Sequence, residues 1–462
     1  DLPVAIDGQV PASACDAKLF MPTADGRVIA VNPEDGSVCS NFGGGDGQID
    51  LWRNMPNVNP GSYYSTSPVI VAGDRIIVGG TVLDNVSTTE PSGVIRAFDI
   101  ASGELLWNWD SGNPDDTGPL SPGQTYTPNS PNSWSISSLD EELGLVYVPL
   151  GNQPPDQWGG NRSESVERYS SSVVALDVAT GAVRWVFQTV HHDLWDYDVP
   201  SQPTLVDIAV DGALVPALVQ PTKQGEIFVL DRRTGEPILP VTERPAPQGA
   251  AEGDFTAPTQ PVSAMSFDPP PLTEKDMWGA TPFDQLLCRI QFKEMRHEGV
   301  YTPPGLDPAL QFPGSLGGMN WGSVSIDPTT SYMFVNDMRL GLANYMIPRE
   351  KIPAGASGIE MGVVPQEGTP FGAMRVRFLS QLGIPCQKPP FGTMSAIDLK
   401  TRKLVWQVPV GTVEDTGPLG LRMGLPIPIG MPTLGPSLAT QSGLLFFAGT
   451  QDFYLRAYDS RT

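Results

Sequence analysis

Gly93-Val-Ile-Arg-Ala-Phe-Asp-Ile-Ala-Ser-Gly-Glu-Leu-Leu-Trp107 reads as a strand, a tight turn and a second strand ending in Trp. Ser172-Val-Val-Ala-Leu-Asp-Val-Ala-Thr-Gly-Ala-Val-Arg-Trp185 repeats it, as does Thr393-Met-Ser-Ala-Ile-Asp-Leu-Lys-Thr-Arg-Lys-Leu-Val-Trp406. Weaker copies run over 26–39 and 225–238, and a shortened copy covers 454–462. Alternating apolar residues mark half-buried strands. The Asp accepts hydrogen bonds from the turn backbone, and the Gly supplies a positive φ that closes the hairpin. The terminal Trp offers a flat surface to a neighbouring unit. A second strand pair precedes most copies, over 67–79, 135–148, 202–220, 323–335 and 437–448. Two hairpins per unit make a four-stranded sheet, and radial repetition of such sheets is the propeller architecture.

Composition agrees with a turn-rich, ordered β fold. The 462 residues include 49 Gly and 48 Pro, which leave few stretches long enough for extended helices. Ten Trp argue against disorder. The net charge of −23 excludes a nucleic-acid backbone as partner, because phosphate binding needs a basic surface. No apolar run is long enough to span a bilayer as a helix. Three His and four Cys, without CxxC or HExxH spacing, argue against zinc. The even set Cys15, Cys39, Cys288 and Cys386 fits either two disulfides in an oxidising compartment or four buried thiols.

Six units are legible, and both ends of the series look cut, so the propeller is expected to be incomplete in this chain. One domain over residues 1–462 is expected, with long Pro-rich insertions near 240–312 and 344–390. Insertions of that length in a compact fold are usually functional loops.

Several constellations carry possible chemistry. His191-His-Asp-Leu-Trp-Asp-Tyr-Asp198 follows the last strand of one unit. A carboxylate fixed there can act as a general base; the alternative is a polar turn held by Asx-type hydrogen bonds. Lys223, in Thr222-Lys-Gln-Gly225, is a lone cation that could stabilise negative charge on an oxygen, or a solvated surface residue. Asp84-Asn-Val-Ser-Thr-Thr-Glu90 concentrates oxygen donors suited to a hard cation, or forms a polar loop. Trp134, in Asn129-Ser-Pro-Asn-Ser-Trp134, and Trp321, in Gly317-Gly-Met-Asn-Trp321, each stand beside amides; either indole could stack on a planar ring or sit in the core.

Together with Trp158-Gly-Gly-Asn-Arg162 and Met277-Trp-Gly-Ala-Thr281, these stretches resemble the membrane-bound quinoprotein dehydrogenases. The match is nearest to the glucose/quinate/shikimate/polyol branch, which uses pyrroloquinoline quinone (PQQ). The resemblance implies an all-β, eight-bladed propeller of four-stranded blades with PQQ in its channel. It implies oxidation of a sugar, cyclic acid or polyol hydroxyl, glucose foremost, by base-assisted hydride transfer. It further implies electron delivery to ubiquinone, membrane attachment through a missing N-terminal region, and the periplasmic face of the bacterial inner membrane. On this likeness Asp196 is the base and Lys223 the cation on the quinone oxygens. Trp134, Lys223, Asn320 and Trp321 hold the cofactor, and Asp84, Asn85 and Asp198 hold a metal. That metal is Ca²⁺ or Mg²⁺, with a lanthanide also compatible. The competing class is a non-catalytic propeller scaffold of the outer-membrane assembly type, which shares the Trp-ended repeat.

Overall fold

The computed structural model describes residues 12–210 and 212–462; residues 1–11 and 211 of the expected domain lie outside that set. Six blade sheets follow one another along the chain, antiparallel throughout except for one parallel strand pair in the first. The second contains Ile70–Ala72, Arg75–Val78, Ile95–Asp99 and Leu105–Trp109, and the third Ser138–Asp140, Leu145–Pro149, Ser172–Asp177 and Val183–Gln188. The fifth is built from Val324–Asp327, Tyr332–Met338, Gly392–Asp398 and Lys403–Pro409. Each of these three is a four-stranded meander.

Three blades depart from the expected four strands. In the fourth, Thr204–Val210, Ala213–Pro221 and Ile227–Asp231 form three strands, and the outermost is reduced to a bridge between Leu230 and Pro237. Pro237 and Pro240 break that strand, since proline cannot donate to a ladder. The sixth has three strands, Ser437–Ala439, Leu444–Phe447 and Arg456–Asp459. The first is a five-stranded sheet in which Gln48–Asp50 adds to Arg27–Val31.

The repeat does what its residues predict. Asp99 Oδ1 accepts from the backbone of Ala101 and Ser102, and Gly103 N–H bonds back to Asp99 at 2.8 Å. Asp177 and Gly181 repeat this geometry. The outer hairpins also share a bulge at one equivalent place, after Ala97, Ala175 and Ala396. Each terminal indole then lies against the turn of the next blade. Trp107 Nε1 donates to Val178 O at 2.9 Å, Trp185 Nε1 to Arg232 O at 3.1 Å, and Trp406 Nε1 to Ser460 O at 3.2 Å. A Cβ added at Gly181 would stand 2.6 Å from Trp107, and one at Gly235 2.7 Å from Trp185. In the fifth blade the corresponding turn residue is Arg402, with φ 59°. The blade before it ends in Ile238-Leu239 rather than Trp, so no indole demands a glycine there.

First strands of successive blades, or the residues leading into them, also touch. Ser67 Oγ donates to Trp134 O, Ser138 Oγ to Pro203 O, and Ser323 Oγ to Gln202 O, while Ser325 and Ser437 share a hydroxyl hydrogen bond. That succession is what innermost strands around an axis produce.

The insertions are more than interruptions. Ala309–Gln311, Leu342–Pro348, Phe371–Arg377 and Gly362–Val364 build a separate four-stranded sheet. Its second strand begins two residues before the expected boundary at 344. The disulfide Cys288–Cys386 joins the 12-residue helix Pro282–Lys293 of the first insertion to the second insertion. Cys15–Cys39 staples the first blade, so the two-disulfide reading holds. No helix among the described residues is long and apolar enough to cross a membrane.

Gly181→Ala is expected to cost about 2 to 3 kcal/mol, because φ is +74° and the new methyl meets Trp107. Gly144→Ala has a similarly positive φ with open space around it, and is expected to cost about 1 kcal/mol. Denaturant melts of the two variants check the difference; equal losses would remove the Trp contact as the cause.

Candidate active site

In a four-stranded meander, the connections between strands two and three leave from the same end as the crossings to the next blade. The Asp-to-Gly turns lie at the opposite end. Asp84, Asp156 and Lys223 sit on two-to-three connections of the second, third and fourth blades. Trp134, Asp196 and Asn320 sit on crossings, and the second insertion is itself the two-to-three connection of the fifth blade. Topology therefore brings these segments to one mouth.

They meet around a cavity of about 510 Å³ whose wall includes Asp84, Trp134, Asp196, Asp198, Lys223 and Asn320. Trp321 and Glu360 also line it. Lys223 Nζ lies 2.7 Å from Asp196 Oδ1, 2.9 Å from Asp196 O and 3.1 Å from Asp198 Oδ2. It stands 5.5 Å from the centre of the Trp134 ring. The lysine is 5% exposed, so the solvated-surface reading is replaced by a buried cation held between two acids. Trp134 Nε1 donates to Asp198 Oδ2 at 3.1 Å, and Asn152 N–H to Asp198 Oδ1 at 2.6 Å. Trp321 faces Trp134 with ring centres 5.0 Å apart.

The charges decide protonation. Burial, opposed by Lys223 and Arg375 and aided by Asp198 and Glu360, pushes the Asp196 carboxyl up to about 7. Burial works against charge on Lys223 too, but Asp196 and Asp198 outweigh it and hold the ammonium above its ordinary range. At Asp198 burial is overcome by Lys223 and the Asn152 N–H, and its carboxyl lies below the usual range. A fixed carboxylate that titrates near neutrality suits a general base.

Three residues of the site escape sequence reasoning. Arg375, from the insertion strand Phe371–Arg377, places Nη2 2.8 Å from Asp196 Oδ2. Glu360, from the same insertion, raises Arg375 and Lys223 by its charge. Asp156 is buried, and burial followed by the charge of Asp84 pushes its carboxyl well above the ordinary range. The Pro-rich insertion and the Trp158–Arg162 stretch were visible signals, but nothing in either singled out these side chains.

Of the residues expected to hold metal, Asp84 lines the cavity, and burial and the acids around it push its carboxyl up. Asn85 is fully buried with Oδ1 toward Asp156 N–H. Both Asp198 oxygens are already engaged. Among the described residues no group of three or more His, Cys, Asp or Glu forms a ready cation site. Open bonding capacity does exist: Asp156 Oδ2, Asn85 Nδ2 and two Arg375 nitrogens are buried without partners. The open Asp156 oxygen and the acid excess suit a hard cation, while the open N–H donors and a cavity faced by two indoles suit a planar anionic ring.

The two histidines of the His191–Asp198 run do not enter the cavity wall. His192 Nε2 lies 2.7 Å from Asp254 Oδ1 and Nδ1 3.2 Å from Glu167 Oε1, and its ring stacks on Phe255. Arg162 donates to Asp193 O, while Asp193 accepts from Ser171 Oγ and from the Trp195 and Tyr197 N–H groups. The polar-turn reading is thus right for Asp193, whose bonds fold the loop so that Asp196 adopts φ 61°.

Burial disfavours the charged imidazole, yet Asp254 and Glu167 outweigh it and raise the His192 pKa. A raised folded-state value means stabilisation that is full below the unfolded pKa of about 6.5 and lost as pH rises through the folded value. The thermal midpoint is therefore expected to fall as pH increases above about 6.5. In His192→Gln that component should vanish, with a loss of about 3 kcal/mol at pH 6. Parallel melts from pH 6 to pH 9 check this, and parallel curves for the two proteins would contradict it.

Comparison with known proteins accords with the geometry. The family described as "PQQ: Glucose/ethanol/alcohol dehydrogenase, beta-propeller domain" matches residues 4–462. The chain is 50% identical over 457 residues to "Quinate/shikimate dehydrogenase (quinone)" of Acinetobacter baylyi, covering 96% of this chain and 56% of that protein. It is 48% identical over 453 residues to "Quinoprotein glucose dehydrogenase" of Escherichia coli, covering 96% and 57%. The chain thus spans somewhat over half the length of these relatives. Among solved structures, quinohemoprotein alcohol dehydrogenase from Comamonas testosteroni superposes with a TM-score of 0.62 at 21% identity, over 96% of this chain and 56% of that one, a likeness of fold. A match over nearly every residue, with close relatives over the same span, shows that the chain belongs to the PQQ-dependent glucose/ethanol/alcohol dehydrogenase β-propeller family.

Proposed function

We propose that this chain is the catalytic propeller of a quinoprotein dehydrogenase that oxidises a hydroxyl of a sugar, cyclic acid or polyol. The observation that carries the reading is Asp196, a buried carboxylate held between Lys223 and Arg375 on a wall shared with Trp134. A scaffold has no use for that arrangement. In the whole protein we expect an eight-bladed ring, membrane attachment, the periplasmic face, and ubiquinone as acceptor, all from the family likeness.

When bound, PQQ supplies an ortho-quinone that accepts hydride. Trp134 and Trp321 offer flat faces for its ring, Asn320 an amide beside them, and Lys223 a cation for an oxygen that gains negative charge. Each Asp196 oxygen binds one cation and keeps a second acceptor position. That position receives the substrate hydroxyl proton as the C–H bond breaks. Lys223 and Arg375 fix the carboxylate in place, which removes the cost of orienting it during reaction. A hard cation would be held among Asp84, Asn85, Asp156 and Asp198, where acids outnumber bases, and would polarise a carbonyl oxygen.

Asp196→Asn in the full-length, PQQ-loaded protein is expected to keep the cofactor and lower kcat by about 10² to 10⁴. Near-parental turnover with glucose, quinate and glycerol would reject Asp196 as the base. Protein stripped with chelator is expected to regain turnover with PQQ plus Ca²⁺ or Mg²⁺; full recovery with PQQ alone in metal-free buffer would remove the cation from the scheme.

A further inference from the structure

One cation in the cavity wall has no role in the scheme above. Arg375 and Arg377 lie two positions apart on Phe371–Arg377, so both side chains leave the same face of the sheet. Arg375 is buried against Asp196. Arg377 is exposed at the outer part of the same cavity, beside Leu316 and Met361. Among the described residues its guanidinium makes neither an ion pair nor a hydrogen bond.

The surrounding charges make this unusual. Four acids line the cavity: Asp84, Asp196, Asp198 and Glu360. Lys223 is occupied by three oxygens, and Arg375 is committed to Asp196. Glu360 is the acid nearest in register, because Gly362 pairs with Arg375. Its charge nevertheless acts on Asp196, Lys223 and Arg375. Arg377 is therefore the cation of the lining whose whole donor fork stays open, in the geometry that suits a carboxylate.

We infer that Arg377 binds a carboxylate on the substrate and so selects hydroxylated ring acids over neutral sugars. The inference rests on the proposed role of Asp196, which receives the reacting hydroxyl. Two residues along a strand advance about 7 Å. That matches the reach across a six-membered ring from its carboxylate to a hydroxyl on the far side. The cofactor's own carboxylates are the other source of this chemistry. Position favours the substrate: Lys223 and Asp198 are buried at the floor, and Arg377 stands at the open end.

The test uses full-length, PQQ-loaded enzyme, Arg377→Gln and Arg377→Lys. Arg377→Gln is expected to raise the KM for quinate on the order of 10- to 100-fold with little change in kcat. The KM for glucose should move far less, and Arg377→Lys should recover part of the loss. Calorimetric binding of cyclohexanecarboxylate, which cannot be oxidised at a hydroxyl, should weaken in parallel. PQQ affinity, read by absorbance titration, should stay at the parental value. An unchanged quinate KM in Arg377→Gln overturns the inference. A loss of PQQ affinity that accounts for the effect also overturns it, and assigns Arg377 to the cofactor. Parental enzyme that oxidises no hydroxyl compound refutes the proposed function instead, and the cyclohexanecarboxylate arm still decides whether Arg377 binds a carboxylate.

Discussion

A tryptophan indole lying flat on the next blade's turn is the contact on which the rest of this molecule depends. Trp107 on Gly181 and Trp185 on Gly235 each join one sheet to the following one, with an indole hydrogen bond to a turn carbonyl as the second anchor. The contact requires a residue without a side chain at positive φ, which only glycine meets without strain. It uses the outer strands and the turns at one end of the blades. The opposite end is left free of structural duty, and its connections can lengthen into loops and insertions that carry chemistry.

At that free end the governing problem is charge. Asp84, Asp156, Asp196, Asp198 and Glu360 converge with Lys223 and Arg375. Burying a lone carboxylate is costly, so each must be paired, protonated or neutralised by something bound. Asp198 takes the first course, with Lys223 and two N–H donors. Burial and the neighbouring acids push Asp84 and Asp156 toward the second. Asp196 lies between them, ionised by its two cations and discouraged by burial. That balance is what a proton acceptor at neutral pH needs.

The loop carrying Asp196 shows how rigidity reaches the site. Its first half, His192 and Asp193, is spent on ion pairs and backbone hydrogen bonds away from the cavity. Its second half, Asp196 and Asp198, is thereby presented in a fixed geometry. Four charged or polar residues so close in sequence split into two jobs according to the direction each faces. A linear motif does not encode that division.

Much of the architecture was legible in the chain because a repeat is a local signal. The alternating strands, the Asp-to-Gly turn and the terminal Trp each state their role within fifteen residues, and the structure places them as read. Asp196, Lys223 and Trp134 were legible as residue types, and their motifs resembled a known family. What only the tertiary structure decided is the company they keep. Arg375 reaches Asp196 across 179 positions of chain, from an insertion whose sequence reads as a Pro-rich interruption. Asp156 joins the acids because its loop leaves the same end of the blades. Pairing of this kind follows from topology and from the free energy of burying charge, which are properties of the assembled fold and not of any stretch of sequence.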